Sequence, residues 1–374
     1  MISRLFEIIG KHIDAFLMTC LLVTLLLGLS VVYSASAPYM YKQAVNITVA
    51  LGCMWIVANL TPHQLQRLAV PLYILGVILL IAVALFGSSS KGAQRWLNLG
   101  FIKIQPSELM RIAMPMMLAW YFAKCEGRPY GRDFAAATLL LVIPVGLIKI
   151  QPDLGTSLLI FASGFYILFL AGLNWKLLAG SAATLTVATP LLYIMRQPIL
   201  DFFIHHGLLH GYQRKRIEIL LGDIQDPLGA GYNTIQSVIA VGSGGFNGKG
   251  WLNGTQTQLD FLPEHHTDFI FAVFSEEFGL MGNLLLLSLF SLIILRGLYI
   301  ASEAKNTFSR LLAGSLALTF FTYAFVNIGM VSGILPVVGV PLPLISYGGT
   351  SMVTLCVSFG ILMSIQTHKN LVGT

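Results

Sequence analysis

The sequence predicts an all-α polytopic membrane protein with about ten transmembrane helices and one large loop between the seventh and the eighth. Three observations predict it. Of the 374 residues, 56% are hydrophobic and only 10% are charged, against about a quarter charged in soluble domains. The mean hydropathy is +0.79. Apolar runs of about 20 residues, the length that crosses roughly 30 Å of hydrocarbon, recur between turn signals along the whole chain. The chain therefore reads as one membrane domain, residues 1–374.

The elements follow in order. Ile2, Leu5, Phe6, Ile8, Ile9 and Ile13 recur at helical spacing, which suits a segment lying flat on the membrane surface. Residues 15–33 form the first span. Ala35-Ser36-Ala37 behind it resembles a signal-peptidase site, but an apolar run of about 19 residues exceeds the usual h-region. Further spans fall at 43–60, 68–86, 107–124, 134–150, 157–172, 175–195, 269–298, 309–331 and 345–366. The 196–268 segment is the only extramembrane part large enough to fold over a site. Its glycine run Gly242-Ser243-Gly244-Gly245 offers N–H groups to a phosphate but lacks the P-loop ending. Two segments break the helical pattern at membrane depth, Gln151-Pro152-Asp153-Leu154-Gly155 and Leu335 to Gly349. Irregular backbone there must be buried in protein or line a cavity, so both are expected to shape an outward hollow. No inverted repeat marks a rocking transporter.

An even number of spans puts both termini on one side. With the termini inside, the 22 Lys and Arg divide 11 to 11. Five outward ones lie in the long loop, which the positive-inside rule discounts. The remaining 11 against 6 favours cytoplasmic termini. The net charge of +6 comes with no basic tract interleaved with aromatics, so no nucleic-acid partner is expected. Cys20, Cys53, Cys125 and Cys356 show no paired spacing and are assigned no function.

Chemistry concentrates in two clusters. Phe261-Leu262-Pro263-Glu264-His265-His266-Thr267-Asp268-Phe269 joins the long loop to the eighth span. Asp268 falls at a helix start, where the dipole favours its charged form and partial burial opposes it. A carboxylate at a cavity mouth takes the proton of an attacking hydroxyl. Aspartate is also a favoured helix cap, and both readings stay open. Glu264, His265, His266 and Asp268 match no standard ligand spacing, so no metal site is assigned. The second cluster runs from Lys91 through Arg95, Trp96, Lys103, Gln105 and Glu108 to Arg111. Pro106 marks a helix start, and Glu108 and Arg111 share a face. The cluster reads either as an anchoring ion pair with interfacial cations or as a set of side chains holding a pyrophosphate. Trp96 suits a membrane interface or a sugar platform. Glu276 and Glu277 lie about 12 Å along the eighth span, buried acids that either support structure or take part in function.

At these clusters the sequence resembles the SEDS family, the shape, elongation, division and sporulation proteins. The likeness spans nearly the whole chain and is strongest in 91–111, 151–157, 212–282 and 327–349. The run 250–259 resembles the elongation branch. The resemblance implies a ten-helix fold and a glycosyltransferase that polymerises lipid II, the undecaprenyl-pyrophosphate-linked disaccharide-pentapeptide. It also implies a class B penicillin-binding protein and other elongation-complex proteins as partners, in the bacterial cytoplasmic (inner) membrane, with an extracytoplasmic active site. The family's essential aspartate falls on Asp268, and its tryptophan and basic-acidic positions fall on Trp96, Lys103, Glu108 and Arg111. The family usually has lysine where Arg111 stands, which keeps charge and changes geometry. No cofactor is required by the sequence, although a divalent cation, magnesium or manganese, suits a pyrophosphate leaving group. Two other functions compete: a lipid II flippase, which moves lipid without making glycan, and a noncatalytic scaffold for a penicillin-binding protein.

Overall fold

The structure is a computed structural model in which residues 12–90, 93–98, 103–125, 129–174, 179–180, 184, 186, 201–202, 232–259, 261–262 and 264–368 are described. Nine helices of 17 or more residues stand among them. They are α1 (Ala15–Ala35), α2 (Ala37–Ala58), α3 (Pro62–Phe86), α4 (Pro106–Lys124), α5 (Gly131–Ile150), α6 (Leu154–Leu170), α9 (Ile270–Glu303), α10 (Thr307–Val331) and α11 (Gly349–Thr367). The expected span at 175–195 lies almost entirely outside the described residues. Two shorter helices, α7 (Tyr232–Ser243) and α8 (Thr255–Gln258), belong to the long loop.

Several helices start earlier than their apolar runs, because capping chemistry rather than hydrophobicity sets the boundary. Thr61 and Gln64 form a reciprocal capping box and Pro62 opens α3, six residues before the expected 68. Pro38 opens α2 in the same way. Six helices are long and apolar enough to cross a membrane: α1, α3, α5, α9, α10 and α11. The α4 helix is less apolar, since it carries Glu108, Arg111 and Lys124. Within the bundle α10 is central, with 78% of its most apolar window buried, whereas the corresponding share is 22% for α5 and α9. Apolar side chains on the peripheral helices thus face outward, as lipid contact requires.

Close approach between helices is built from small residues. A Cβ on Gly360 of α11 would lie 2.5 Å from the Met54 carbonyl of α2, and one on Gly28 of α1 would lie 2.6 Å from the Leu344 carbonyl. The first and last described residues meet at one end of the bundle. His12 stacks on His368 at 4.6 Å, and nearby Asp14, which caps α1 through the Leu17 N–H, pairs with Arg296 at 2.5 Å.

One feature was not legible as periodicity. Between α3 and α4 the chain forms a small antiparallel sheet, β1 (Ser88–Ser90), β2 (Ala93–Asn98) and β3 (Lys103–Ile104), with Ser88 opposite Trp96 and Leu97 opposite Ile104. The strands are too short, and their alternation too brief, to register beside runs of about 20 apolar residues.

A second departure is inside α9. Gly279 has φ 62° and ψ −160°, a region open essentially to glycine alone, so the helix is interrupted about a quarter of the way along. The long loop fills the interruption. Lys249 and Gly250 N–H groups donate to the Glu276 and Glu277 carbonyls, and the Leu280 and Met281 N–H groups donate to the Gly245 and Phe246 carbonyls. Backbone groups released by the break are therefore satisfied at membrane depth. The fit requires glycine: a Cβ on Gly248 would sit 2.1 Å from the Glu277 carbonyl oxygen.

Candidate active site

Asp268 sits in the turn 264–269 that precedes α9. The N-cap of α9 is Phe269, so Asp268 lies one residue outside the capping position that its sequence context suggests. The turn is held from three sides. Asn327 of α10, fully buried, donates through Nδ2 to the Asp268 carbonyl at 2.8 Å and to the Val340 carbonyl at 2.7 Å. Ser346 Oγ donates to the Thr267 carbonyl at 2.6 Å and accepts from the Leu342 N–H at 2.7 Å. The Tyr347 N–H donates to the His266 carbonyl at 3.0 Å. His266 stacks on Tyr39 of α2 at 4.5 Å. The His265 ring nitrogens lie 2.7 Å from the Leu262 carbonyl and 3.0 Å from the Ala35 carbonyl. Both histidines are thus committed to the wall of the site.

The Asp268 side chain lies over a glycine. A Cβ on Gly339 would be 3.4 Å from Asp268 Oδ2, and Gly339 has φ 72°, in the left-handed region that favours glycine.

The second cluster begins at the N-terminus of α4. Gln105 is its N-cap residue, and its Nε2 donates to Ser107 Oγ at 3.1 Å. Arg111 Nη1 donates to both Glu108 carboxylate oxygens at 2.7 Å. Ser351 of α11 donates to Glu108 Oε1 at 3.1 Å, and Arg111 Nη2 donates to Thr156 of α6 at 3.3 Å. The guanidinium lies 5.2 Å from the Tyr323 ring centroid on α10. Four helices therefore converge on one buried ion pair. Glu108 and Arg111 are 7% and 8% exposed, so the pair is built into the protein rather than offered to a ligand. Trp96 is partly exposed on β2. Of Arg95 and Lys103 only the backbone is described, in β2 and β3, and Lys91 lies outside the described residues.

The two irregular segments expected to shape a hollow do meet. A Cβ on Gly155 would be 2.7 Å from the Val338 carbonyl, and Asp153 caps α6 through the Thr156 N–H. The 335–349 segment also links the clusters. Ser346 bonds the Asp268 turn, and five residues later Ser351 bonds Glu108. Five residues of chain reach at most about 18 Å. The aspartate turn and the α4 ion pair are thus tied to one another through a single short segment.

Glu276 and Glu277 serve the long loop. Glu276, with no exposed surface, accepts from Lys249 Nζ at 2.6 Å, from the Thr255 N–H at 3.0 Å and from the Thr255 hydroxyl at 2.9 Å. Glu277 accepts from Ser34 and from the Leu252 N–H. Two glycines of 242–248, Gly244 and Gly248, are packed against α9: a Cβ on Gly244 would lie 2.1 Å from the Ser275 carbonyl. Asn327, Ser346 and Tyr39 were not singled out from sequence. A signal existed for Asn327, since a buried amide in an apolar span needs partners.

This arrangement can be compared with known proteins. The chain matches the FTSW_RODA_SPOVE family, described as cell cycle proteins, over residues 14–371. The protein belongs to that family. It is 50% identical to the peptidoglycan glycosyltransferase MrdB of Escherichia coli K12 over 365 residues, covering 97% of this chain and 95% of that one. It is 36% identical to MrdB of Helicobacter pylori J99, covering 98% and 93%. Among solved structures, a chain from a peptidoglycan synthase complex that coordinates polymerization and crosslinking superposes with a TM-score of 0.77 at 31% identity, covering 96% of this chain and 98% of that one. The rod shape determining protein RodA of Thermus thermophilus superposes with a TM-score of 0.69 at 27% identity, covering 96% and 97%. This FtsW/RodA/SpoVE membership agrees with the SEDS resemblance carried by the two clusters.

Proposed function

We propose that this FtsW/RodA/SpoVE protein is a peptidoglycan glycosyltransferase that polymerises lipid II during cell elongation, with Asp268 as general base. The enzyme class is supported by the 50% identical MrdB relative. The observation that carries the site is the 346–351 segment, which ties the Asp268 turn to the α4 ion pair.

In the proposed reaction, the acceptor sugar hydroxyl attacks the anomeric carbon of the lipid-linked donor. Asp268 takes the hydroxyl proton as the new C–O bond forms. The bond from the anomeric carbon to the pyrophosphate breaks, and undecaprenyl pyrophosphate leaves. Attack opposite the leaving group inverts the anomeric centre and gives a β-1,4 link. Cations of 91–103 stabilise the departing pyrophosphate, the charge that develops in the transition state. Gln105 and Trp96 border this region. Among the described residues no three His, Cys, Asp or Glu side chains gather in a metal-binding group.

The membrane orientation has the termini in the cytoplasm and the site outside. The 11-to-6 distribution of basic residues supports it, and the stacking of His12 on His368 supports a common side for the two ends of the bundle's chain. The neighbour from a synthase complex supports assembly with a class B penicillin-binding protein that supplies crosslinking.

The test is incubation of the purified protein and its partner with labelled lipid II, with products resolved by length. Glycan ladders are expected. Lipid movement across vesicles without any polymer would favour a flippase, and neither activity with partner binding intact would favour a scaffold.

A further inference from the structure

We propose a second binding site, for a phosphate group, at the end of the bundle opposite the Asp268 turn. It does not rest on the assignment of Asp268. A cavity of about 570 Å³ opens there, lined in part by Thr61, His63, Lys305, Asn306, Ser309 and His368. It lies at the far end of α9, about 50 Å of helix from Asp268.

Four features of this cavity select an anion. Two long helices, α3 and α10, begin on its wall, capped by Thr61 and Asn306. Caps satisfy only part of the first turn, and the remaining N–H groups and the positive dipole ends face an incoming acceptor. Lys305 directly precedes the α10 cap, and two histidines stand beside it. No Asp or Glu occurs among the described lining residues. The fourth feature is Ser309. It is 3% exposed, and its Oγ has no hydrogen-bond partner among the described residues. Ser288, Ser291 and Ser302 each donate to a carbonyl three or four residues back in their own helix. Ser309 sits in the first turn of α10 and retains an unsatisfied donor on the cavity wall. A phosphate oxygen supplies the missing acceptor.

The shared chemistry is a phosphate held by helix N–H groups, a lysine and a hydroxyl. An acidic glycerophospholipid headgroup or free inorganic phosphate can provide it. The test uses the full chain in detergent as wild type, Lys305→Gln, Ser309→Ala and, as a control for surface charge at the start of another helix, Arg132→Gln. Native mass spectrometry measures phosphatidylglycerol affinity, and melting temperature is compared in phosphate and chloride at matched ionic strength. A loss of roughly fivefold in lipid affinity in Lys305→Gln or Ser309→Ala, beyond any loss in Arg132→Gln, establishes the lipid source. A phosphate-dependent rise in melting temperature in the wild type, lost in those variants with lipid affinity unchanged, establishes the free anion. Responses absent from the wild type, unchanged in both variants, or equally weakened in Arg132→Gln overturn the proposal.

Discussion

Asp268 is presented by a turn whose backbone carbonyls are themselves bonded by an α10 side chain and by the 335–349 segment. A carboxylate acting as a base needs fixed geometry relative to the attacking hydroxyl, because small misplacements lower the rate steeply. Asn327 provides that fixation through one amide bonded to two carbonyls. Asn327→Leu removes both bonds, each contributing about 1 kcal/mol. Steady-state polymerisation is expected to show kcat about tenfold lower with KM nearly unchanged, the pattern of lost orientation rather than lost substrate binding. Arg111 belongs to the same scale. Arg111→Ala leaves Glu108 buried without its cation, at a cost of about 3–5 kcal/mol, and should fail to accumulate in the membrane when followed by immunoblot. Arg111→Lys keeps the charge and is expected to accumulate normally.

At the scale of elements, α9 and the long loop form one unit. The interruption at Gly279 exposes backbone groups that the 245–250 segment satisfies, and Glu276 and Glu277 hold the next six residues in place. Glu276→Ala removes the Lys249 pair and the Thr255 bonds, about 2 kcal/mol in total after allowing for the partly exposed lysine. Hydrogen exchange is expected to rise in 249–256 while α10 stays protected. Gly279→Ala meets both the glycine-only backbone and a Cβ 2.3 Å from the Gly248 nitrogen. It is expected to lower the melting temperature, measured with the full chain, by an amount corresponding to at least about 2 kcal/mol. The buried acids and the glycines were visible in the sequence, but not their partnership, which depends on contacts between positions about 30 residues apart.

For the molecule as a whole, the approximate positions of the described spans were legible because each span has to be apolar along its length. The described helices agree with nine of the ten expected spans within about six residues, the largest shifts being at α2 and α3, where Pro38 and the Thr61–Gln64 box set the start. The existence of two chemical clusters was legible too, as charge and irregular backbone at membrane depth. Their union was not: it requires the return of 346–351 between the Asp268 turn and α4, a tertiary fact with no periodicity. Nor did the sequence separate residues available to a ligand from Glu108 and Arg111, which the fold buries against each other. The molecule thus has a rigid central helix, α10, that contributes Asn327 to the turn at one end and Ser309 to the distant cavity at the other.

The central claim is that Asp268 moves a proton in the glycosyl transfer. Its most direct test is the polymerisation rate of Asp268→Asn against wild type, with lipid II binding measured on the same preparations. The expected result is a rate reduced by at least about 100-fold with lipid II affinity within a few-fold of wild type. Near-normal polymerisation by the asparagine variant, correctly inserted and bound to its partner, would contradict the assignment.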